Sequence, residues 1–277
     1  MFLKAIRLAI RSFLFAMLLS GAAYAAPERI VSLAPSVTET LFALGLENQI
    51  AGVTDFCDWP VEAKTKPKIG GIINPSFEAI IRLRPDLAVL TTDGNSKEAE
   101  EKLVSLGIKT FVFDGRSLAG LPDEIRRLGK AVEATDKAEK LASNIEVSIA
   151  ALKRPPEGKT ALFIVWPEPL VVAGKETAIN EAMGLLGLKN AAFDSFGPYP
   201  KFSIEEALRR SPDVIFLGAG MGVMGDIAKV SESLLEKLKN TRAVKNNRVY
   251  YISEKILRTG PRFIEGIKEM DGFLNEK

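Results

Sequence analysis

Two glutamates stand in the same local pattern and could therefore bind one partner together. Glu78 lies in the segment 76–86 and Glu205 in the segment 203–213, where Ser, Glu, Arg, Pro and Asp recur at identical spacing. Carboxylates repeated in this way suit a two-fold symmetric partner that carries paired basic side chains. The alternative is local, because a glutamate in the first turn of a helix also interacts favourably with the helix dipole.

Aromatic side chains gather in segments that are rich in proline and glycine. They are Phe56, Trp59, Trp166 and Tyr199. Such residues often pack in a core, but several of them together in loops are better explained by stacking on a flat ligand. We therefore expect these four side chains to bind a planar molecule.

The composition argues against several kinds of chemistry. The 277 residues include no histidine and one cysteine, Cys57. Histidine is the commonest general base and a frequent metal ligand, so a zinc enzyme, a Ser-His-Asp hydrolase and a carrier of free metal ions are all disfavoured. A single cysteine forms no internal disulfide, and we interpret Cys57 as a packing residue rather than a redox group. The sequence thus indicates no catalytic residues and no metal ligands.

A glycine-rich segment, residues 218–225, contains the spacing of a dinucleotide-binding fingerprint after an expected strand. The acidic residue that ends the next strand, Glu254, comes about thirty residues later instead of about twenty. We therefore interpret the segment as a flexible loop.

Residues 1–25 have the form of a secretory signal. Lys4, Arg7 and Arg11 precede an apolar core at 13–19, and Ala23-Tyr24-Ala25 is a small-x-small cleavage site. The uncharged stretch 12–27 is short for a membrane span, although an uncleaved anchor is the alternative. We expect cleavage near Ala25, a periplasmic protein and no stable membrane insertion. The remaining chain is almost neutral, which offers no basic surface for nucleic acid.

Buried strand patterns alternate with helical ones on both sides of a purely helical middle. Residues 122–152 show apolar steps of three and four, which predict two amphipathic helices, the second about 27 Å long at ~1.5 Å per residue. Segments 36–39 and 203–206 have the form of capping boxes. The pattern Leu-Gly-Leu-x-Asn at 44–48 recurs at 186–190, in each case ahead of the segment that contains the repeated glutamate. We predict an α/β fold of two pseudo-equivalent lobes with mostly parallel sheets, joined by a single long helix, with a ligand cleft between the lobes. The expected boundaries are 1–25 for the signal peptide, 26–121 for the N-terminal lobe, 122–156 for the connecting helices and 157–277 for the C-terminal lobe.

Several motifs resemble the iron-siderophore/haem/cobalamin class of ABC-importer binding proteins, and among them the periplasmic cobalamin-binding proteins. The likeness extends over residues 28–274 and is carried by segments 29–39, 52–60, 70–78, 83–86, 173–175 and 260–262. It implies a protein that binds cobalamin or a related corrinoid between its lobes, performs no catalysis, needs no catalytic cofactor, and delivers its ligand to an inner-membrane importer.

The resemblance also implies roles for particular residues. Cobalamin contacts of the family map onto Phe56, Tyr199 and Glu254, and the glutamates that dock the importer map onto Glu78 and Glu205. One position departs from the pattern, because this chain has Ile72 where a characterised cobalamin binder has an aromatic residue.

Two other functions stay open at this point. A haem or iron-siderophore binder would use the same scaffold; haem would need Tyr199, Tyr250 or Tyr251 as its axial ligand, and an anionic siderophore would need Arg116, Arg258 or Arg262. The more remote alternative is a secreted enzyme that uses pairs of carboxylates.

Overall fold

The computed structural model describes residues 26–219 and 224–275. The predicted signal peptide and most of the glycine-rich fingerprint lie outside these ranges. In the part of the chain that the structure describes, no helix combines the length and the apolar character needed to cross a membrane.

The first half of the chain forms a parallel sheet of four strands: β1 (Ile30–Ser32), β2 (Ile50–Val53), β3 (Leu87–Thr91) and β4 (Lys109–Phe113), in the order β2-β1-β3-β4. Helices α1 (Pro35–Ala43), α2 (Phe77–Arg82) and α3 (Lys97–Ser105) connect them, together with a 3-10 turn at Val61–Thr65. Every residue of β3 is buried, as the continuous apolar run of a central parallel strand requires.

The middle of the chain consists of two packed helices, α4 (Leu121–Ala131) and α5 (Thr135–Leu152). Their apolar stripes, which include Ile125, Leu128 and Ile145, are buried. Gly129 allows the close approach, because any side chain there would collide with Ala138. The two predicted amphipathic helices are therefore present.

The second half builds a sheet of the same order. Strands β5 (Thr160–Pro167), β7 (Lys189–Asn190), β8 (Val214–Ala219) and β9 (Val249–Ser253) lie in the order β7-β5-β8-β9 and are parallel. Strand β6 (Leu170–Val172) adds an antiparallel hairpin to β5. The helices are α6 (Ala178–Leu185), α7 (Ile204–Arg210), α8 (Met224–Lys237), α9 (Arg242–Lys245) and α10 (Phe263–Asn275), with a 3-10 turn at Glu254–Leu257.

The sequence repeat corresponds to a structural repeat. Ser76 and Ser203 cap α2 and α7 by accepting backbone N–H groups at 3.2 and 3.0 Å. The carboxylate of Asp86 accepts from the backbone N–H of Glu28 just before β1, and that of Asp213 accepts from the N–H of Thr160 at the start of β5, both at 2.8 Å. Each repeated aspartate thus joins the beginnings of two neighbouring strands. The prediction of two pseudo-equivalent α/β lobes is confirmed.

One hydrophobic core continues through both lobes and the helices between them. Val89 of the first sheet, Ile125 of α4 and Phe163 of the second sheet belong to the same buried cluster. Because apolar burial joins the lobes along the connecting helices, their relative movement is restricted on that side.

The capping box expected at 36–39 is wrong. Helix α1 begins at Pro35, its N-cap is Ala34, and no side chain caps it. Proline at the first position suits a helix start, because the missing N–H would have had no partner in the helix. Glu39 is therefore not a capping residue; it is buried and pairs with two arginines of the other lobe.

Candidate functional site

Polar and aromatic side chains follow the carboxyl ends of several parallel strands, where the two lobes face each other. Phe56 comes after β2, Asp93 after β3 and Arg116 after β4, while Trp166 lies near the end of β5 and Glu254 follows β9. In open parallel sheets this edge is where ligands bind. The cleft between the lobes is therefore the candidate site.

The wall of the cleft on the first lobe is formed by Phe56 and the segment 70–75. The ring of Phe56 is 42% exposed, and Gly71 lies against it. Asn95 holds the segment in place, because its amide donates to the carbonyl of Ile72 at 2.8 Å and to that of Leu33 at 3.1 Å. The side chain of Ile72 packs at Gly94, beside Asp93. The wall is thus apolar up to Asp93.

Tyr199 is positioned from the second lobe by hydrogen bonds on both sides of it. The backbone N–H of Gly174 donates to the carbonyl of Pro198 at 2.7 Å, and that of Val172 donates to Pro200 at 3.2 Å. The hydroxyl of Tyr199 then donates to Oδ2 of Asp93 at 3.0 Å. This hydrogen bond crosses from one lobe to the other.

The Asp93–Tyr199 contact changes the acidity of both groups. Burial raises the pKa of Asp93 to about 6, although Tyr199 and the charge of Arg116 oppose the shift. Burial and the neighbouring carboxylate raise the pKa of Tyr199 well above its usual value. Tyr199 therefore stays a neutral donor, and Asp93 is a poorly solvated carboxylate at neutral pH.

Trp166 lies in the β5–β6 hairpin and is 39% exposed. Its indole Nε1 donates to the carbonyl of Glu168 at 2.8 Å. Since the polar end of the ring is satisfied within the hairpin, the exposed part of the side chain is available for apolar contact.

A group of ion pairs connects the lobes beside the cleft. Arg258, of which 6% is exposed, contacts Glu39 at 3.0 Å and Asp58 at 2.6 Å. Arg262 contacts Glu39 at 3.1 Å and Glu254 at 3.0 Å. Burial raises the pKa of Glu39, against the opposing effect of both arginines. The predicted ligand-binding residue Glu254 thus has an arginine partner within its own lobe.

Trp59 belongs to the same group of side chains. The guanidinium of Arg262 lies 4.5 Å from the centre of its indole ring, a cation–π distance. The side chain is 50% exposed and lines a groove of about 650 Å³ whose walls also include Glu39, Glu62 and Arg262. The structure therefore places Trp59 against Arg262 in this groove, whereas Phe56 lies against Gly71 and Tyr199 contacts Asp93.

The two glutamates of the repeat are exposed in the first turns of α2 and α7. The Glu78 side chain is 89% exposed and lies 4.0 Å from Arg82. Among the described residues Glu205 has no ion pair, because its neighbour Glu206 takes both Arg209 and Arg210.

Sequence reasoning missed Asp93 and the pairing of Glu39 with arginines. Asp93 and Asp114 each follow the end of a parallel strand, and that position could have marked them as cleft residues. Nothing in the local sequence connects Glu39 with arginines more than two hundred residues later.

The model of a family described as periplasmic binding protein matches residues 30–256. This chain belongs to that family. It is a periplasmic-type substrate-binding protein of the class that includes binders of vitamin B12, haem and iron complexes.

Three relatives show how the class divides by ligand. A vitamin B12-binding protein of Pectobacterium carotovorum is 32% identical over 207 residues, which cover 73% of this chain and 75% of the relative. The periplasmic vitamin B12-binding protein BtuF of Vibrio cholerae has a TM-score of 0.77 and 25% identity, with 90% of this chain and 97% of that chain covered. The periplasmic heme-binding protein RhuT of Roseiflexus sp. RS-1 has a TM-score of 0.76 and 26% identity, with 89% and 97% covered. The backbone alone therefore does not distinguish the ligands.

Proposed function

We propose that this protein captures cobalamin or a related corrinoid in the cleft between its lobes and delivers it to an inner-membrane ABC importer. In this proposal the signal peptide is cleaved near Ala25 and the protein works in the periplasm. The lobes correspond to residues 26–121 and 157–277, with residues 122–156 as the connecting helices. Phe56, Trp166 and Tyr199 contact the ligand, while Trp59 and Glu254 act at the edge of the site.

The ligand assignment depends most on whether the arginines beside the cleft are already paired with carboxylates. An anionic siderophore needs cationic side chains in the cleft, and the sequence offers Arg116, Arg258 and Arg262. Arg258 and Arg262 are bound to Glu39, Asp58 and Glu254, so their charges are already compensated. Arg116 is the one of the three without an ion pair among the described residues. This balance favours a neutral ligand over an anionic one.

The tyrosines give separate support against haem. A tyrosine that binds haem iron acts as a phenolate. The hydroxyl of Tyr199 donates to Asp93 and its pKa is raised, which disfavours the phenolate. Tyr250 stacks on Phe273 with the ring centres 4.8 Å apart. Of the three candidate axial ligands, this leaves Tyr251 on strand β9 as the one that could bind haem iron.

Three acidic side chains beside the cleft are bound in ion pairs, which does not suit a carboxylate enzyme. Glu39, Asp58 and Glu254 are each held by an arginine. General acid–base catalysis needs a carboxylate that is free to exchange a proton with a substrate. The pairs of Glu39 and Asp58 instead support a structural role between the lobes, and that of Glu254 a role within the second lobe.

The importer is the second partner in the proposal. Glu78 and Glu205 occupy equivalent places in the two lobes, both exposed, and a two-fold related pair of basic residues on a permease would complement them. The repeat in the fold supports this role, because it presents the two carboxylates on equivalent helices.

The visible absorption spectrum of protein purified without ligand removal tests the proposal. Corrinoid, haem and ferric siderophore have distinct bands. Since the chain has no histidine to donate an imidazole to cobalt, we expect a cobalamin spectrum that stays close to the base-on form. Bands of haem or of a ferric chelate on the saturated protein would contradict the assignment.

A further inference from the structure

Asp93 follows strand β3 and meets the opposite lobe across the cleft, and its carboxylate has unused hydrogen-bonding capacity. Its Oδ2 accepts from Tyr199 of the opposite lobe at 3.0 Å. Within residues 26–219 and 224–275, Tyr199 is the only hydrogen-bond partner of this side chain. The second oxygen, Oδ1, therefore has no donor, and a carboxylate in a partly desolvated position gains from each donor it receives.

The charged groups around Asp93 do not neutralise it. Asp114, at the end of the neighbouring strand β4, accepts from Thr92 at 2.9 Å and from the backbone N–H of Arg116 at 3.1 Å. Arg116 is exposed, so water screens its charge. The two carboxylates and one guanidinium leave this part of the cleft negative.

The candidate ligands differ in the groups that they would present to this carboxylate. The rim of a corrin ring carries neutral primary amides, which donate N–H hydrogen bonds. Haem carries two propionates, and many ferric siderophores are anionic. A partly buried carboxylate accepts from an amide but repels another carboxylate.

We infer that Asp93 is a specificity-determining residue, which accepts a hydrogen bond from a neutral amide of the ligand and disfavours ligands with carboxylates. In the structure, the hydroxyl of Tyr199 donates to one oxygen of this acceptor and links the lobes there. The inference rests on the proposed corrinoid function and adds the chemical group by which the protein selects its ligand.

Dissociation constants for cyanocobalamin and for haem, measured on the same protein preparations, test this. Asp93→Asn keeps the shape but removes the charge. We expect it to weaken cobalamin binding about fivefold, because a hydrogen bond to a neutral acceptor is roughly half as strong as one to a charged acceptor. Haem binding should tighten or become detectable, so that the preference for cobalamin falls at least tenfold.

Three further variants separate charge from other effects. Asp136→Asn, on the exposed start of α5, removes the same charge away from the cleft and should leave both constants within twofold of wild type. Asp93→Glu keeps the charge, and Tyr199→Phe removes the hydroxyl while leaving Asp93 ionised. Both should keep the wild-type preference even if the individual affinities change.

The outcomes distinguish the inference from the function on which it rests. If wild type binds haem but no corrinoid, the proposed function fails. If wild type binds cobalamin and Asp93→Asn has the same preference as Asp136→Asn, the function stands and the role of Asp93 is overturned. If Tyr199→Phe loses as much of the preference for cobalamin over haem as Asp93→Asn does, the inference is also overturned. Selectivity would then come from the contact between the lobes and not from the charge of the carboxylate.

Discussion

At the scale of single residues, the site combines exposed aromatic rings with polar groups that are almost all paired. Phe56 and Trp166 leave large parts of their rings uncovered, whereas Arg258 is paired with Asp58 and Arg262 with Glu254. Exposed apolar surface beside satisfied polar groups is the usual composition of a small-molecule pocket. Asp93 is the exception, and it is the residue that sequence analysis did not identify.

Phe56→Ala should weaken cobalamin binding by roughly 1–3 kcal/mol if the ring is a central anchor. The ring is 42% exposed in a loop, so its removal should change the melting temperature little. Val104→Ala on α3, where the side chain is 56% exposed, is a control that should alter neither property. Titration calorimetry and thermal melting check this. Normal binding with a clearly lower melting temperature would make Phe56 a core residue.

Asp93→Asn should stabilise the protein at pH 7.5. The pKa of Asp93 is raised to about 6 by burial, so its charged form is disfavoured in the folded state and wild type loses stability as the pH rises from 3.8 through about 6. The gain is at most ~3 kcal/mol, from about two pKa units at ~1.4 kcal/mol each. Tyr199 and Arg116 lower the pKa of Asp93 and Asp114 raises it, and with burial the net shift is upward.

Denaturant unfolding of both proteins at pH 4 and pH 7.5 measures the difference. The advantage of the variant should be large at pH 7.5 and should shrink at pH 4, where wild-type Asp93 is protonated. An equal difference at the two pH values would show that the carboxylate is not desolvated in the folded protein.

At the scale of elements, most helices and strands were predictable because their signals are local. The strand Leu87–Thr91 is recognisable from the sequence, since its apolar run 87–90 is continuous and follows Pro85-Asp86. Strand β7 (Lys189–Asn190) was not predicted, because two polar residues have no strand pattern and pair only through the edge of β5. The start of α1 was misread because Ser36 and Glu39 have the spacing of a capping box, while Pro35 alone suffices to begin the helix.

The helices α2 and α7 yield a prediction about docking. The double variant Glu78→Ala/Glu205→Ala should bind ligand like wild type, because both side chains are exposed outside the cleft. Uptake into vesicles that contain the importer should fall, most visibly at low salt, since charges at the rim of an interface act mainly on the association rate. Glu98→Ala/Asp136→Ala, two exposed acidic residues in first turns of other helices, controls for net charge and helix dipole. If uptake is the same in both double variants, Glu78 and Glu205 are only helix-dipole partners.

The ion pairs between the lobes yield a prediction about stability. Arg258→Ala should lower the free energy of unfolding by roughly 3 kcal/mol, because the buried carboxylate of Glu39 loses one of its two arginines and Asp58 also loses this partner. Arg209→Ala breaks the pair with Glu206, where the arginine is 69% exposed, and should cost less than about 1 kcal/mol. Urea unfolding compares the two. Equal losses would mean that the pairs between the lobes are as solvated as surface pairs.

At the scale of the whole molecule, the repeat in the sequence predicted the two lobes, and the structure shows why. The repeated Ser and Asp positions each make the same local contact in both lobes, so the same local geometry requires the same residues. Contacts between the lobes leave no repeated residue pattern in the sequence. Asp93 meets Tyr199, and Glu39 meets Arg258, only because the chain brings together segments separated by more than a hundred residues. The predicted cleft could therefore be located from sequence, but its hydrogen bonds and its charge could not.

The central claim is that the cleft binds a neutral corrinoid, and isothermal titration of the mature protein tests it most directly. Cyanocobalamin, haem and a ferric hydroxamate siderophore are titrated separately into ligand-free protein at the same pH and salt. We predict saturable binding of one cyanocobalamin per chain, with haem and the siderophore at least tenfold weaker. Saturable binding of haem or of the siderophore, with no heat from cyanocobalamin, would contradict the claim.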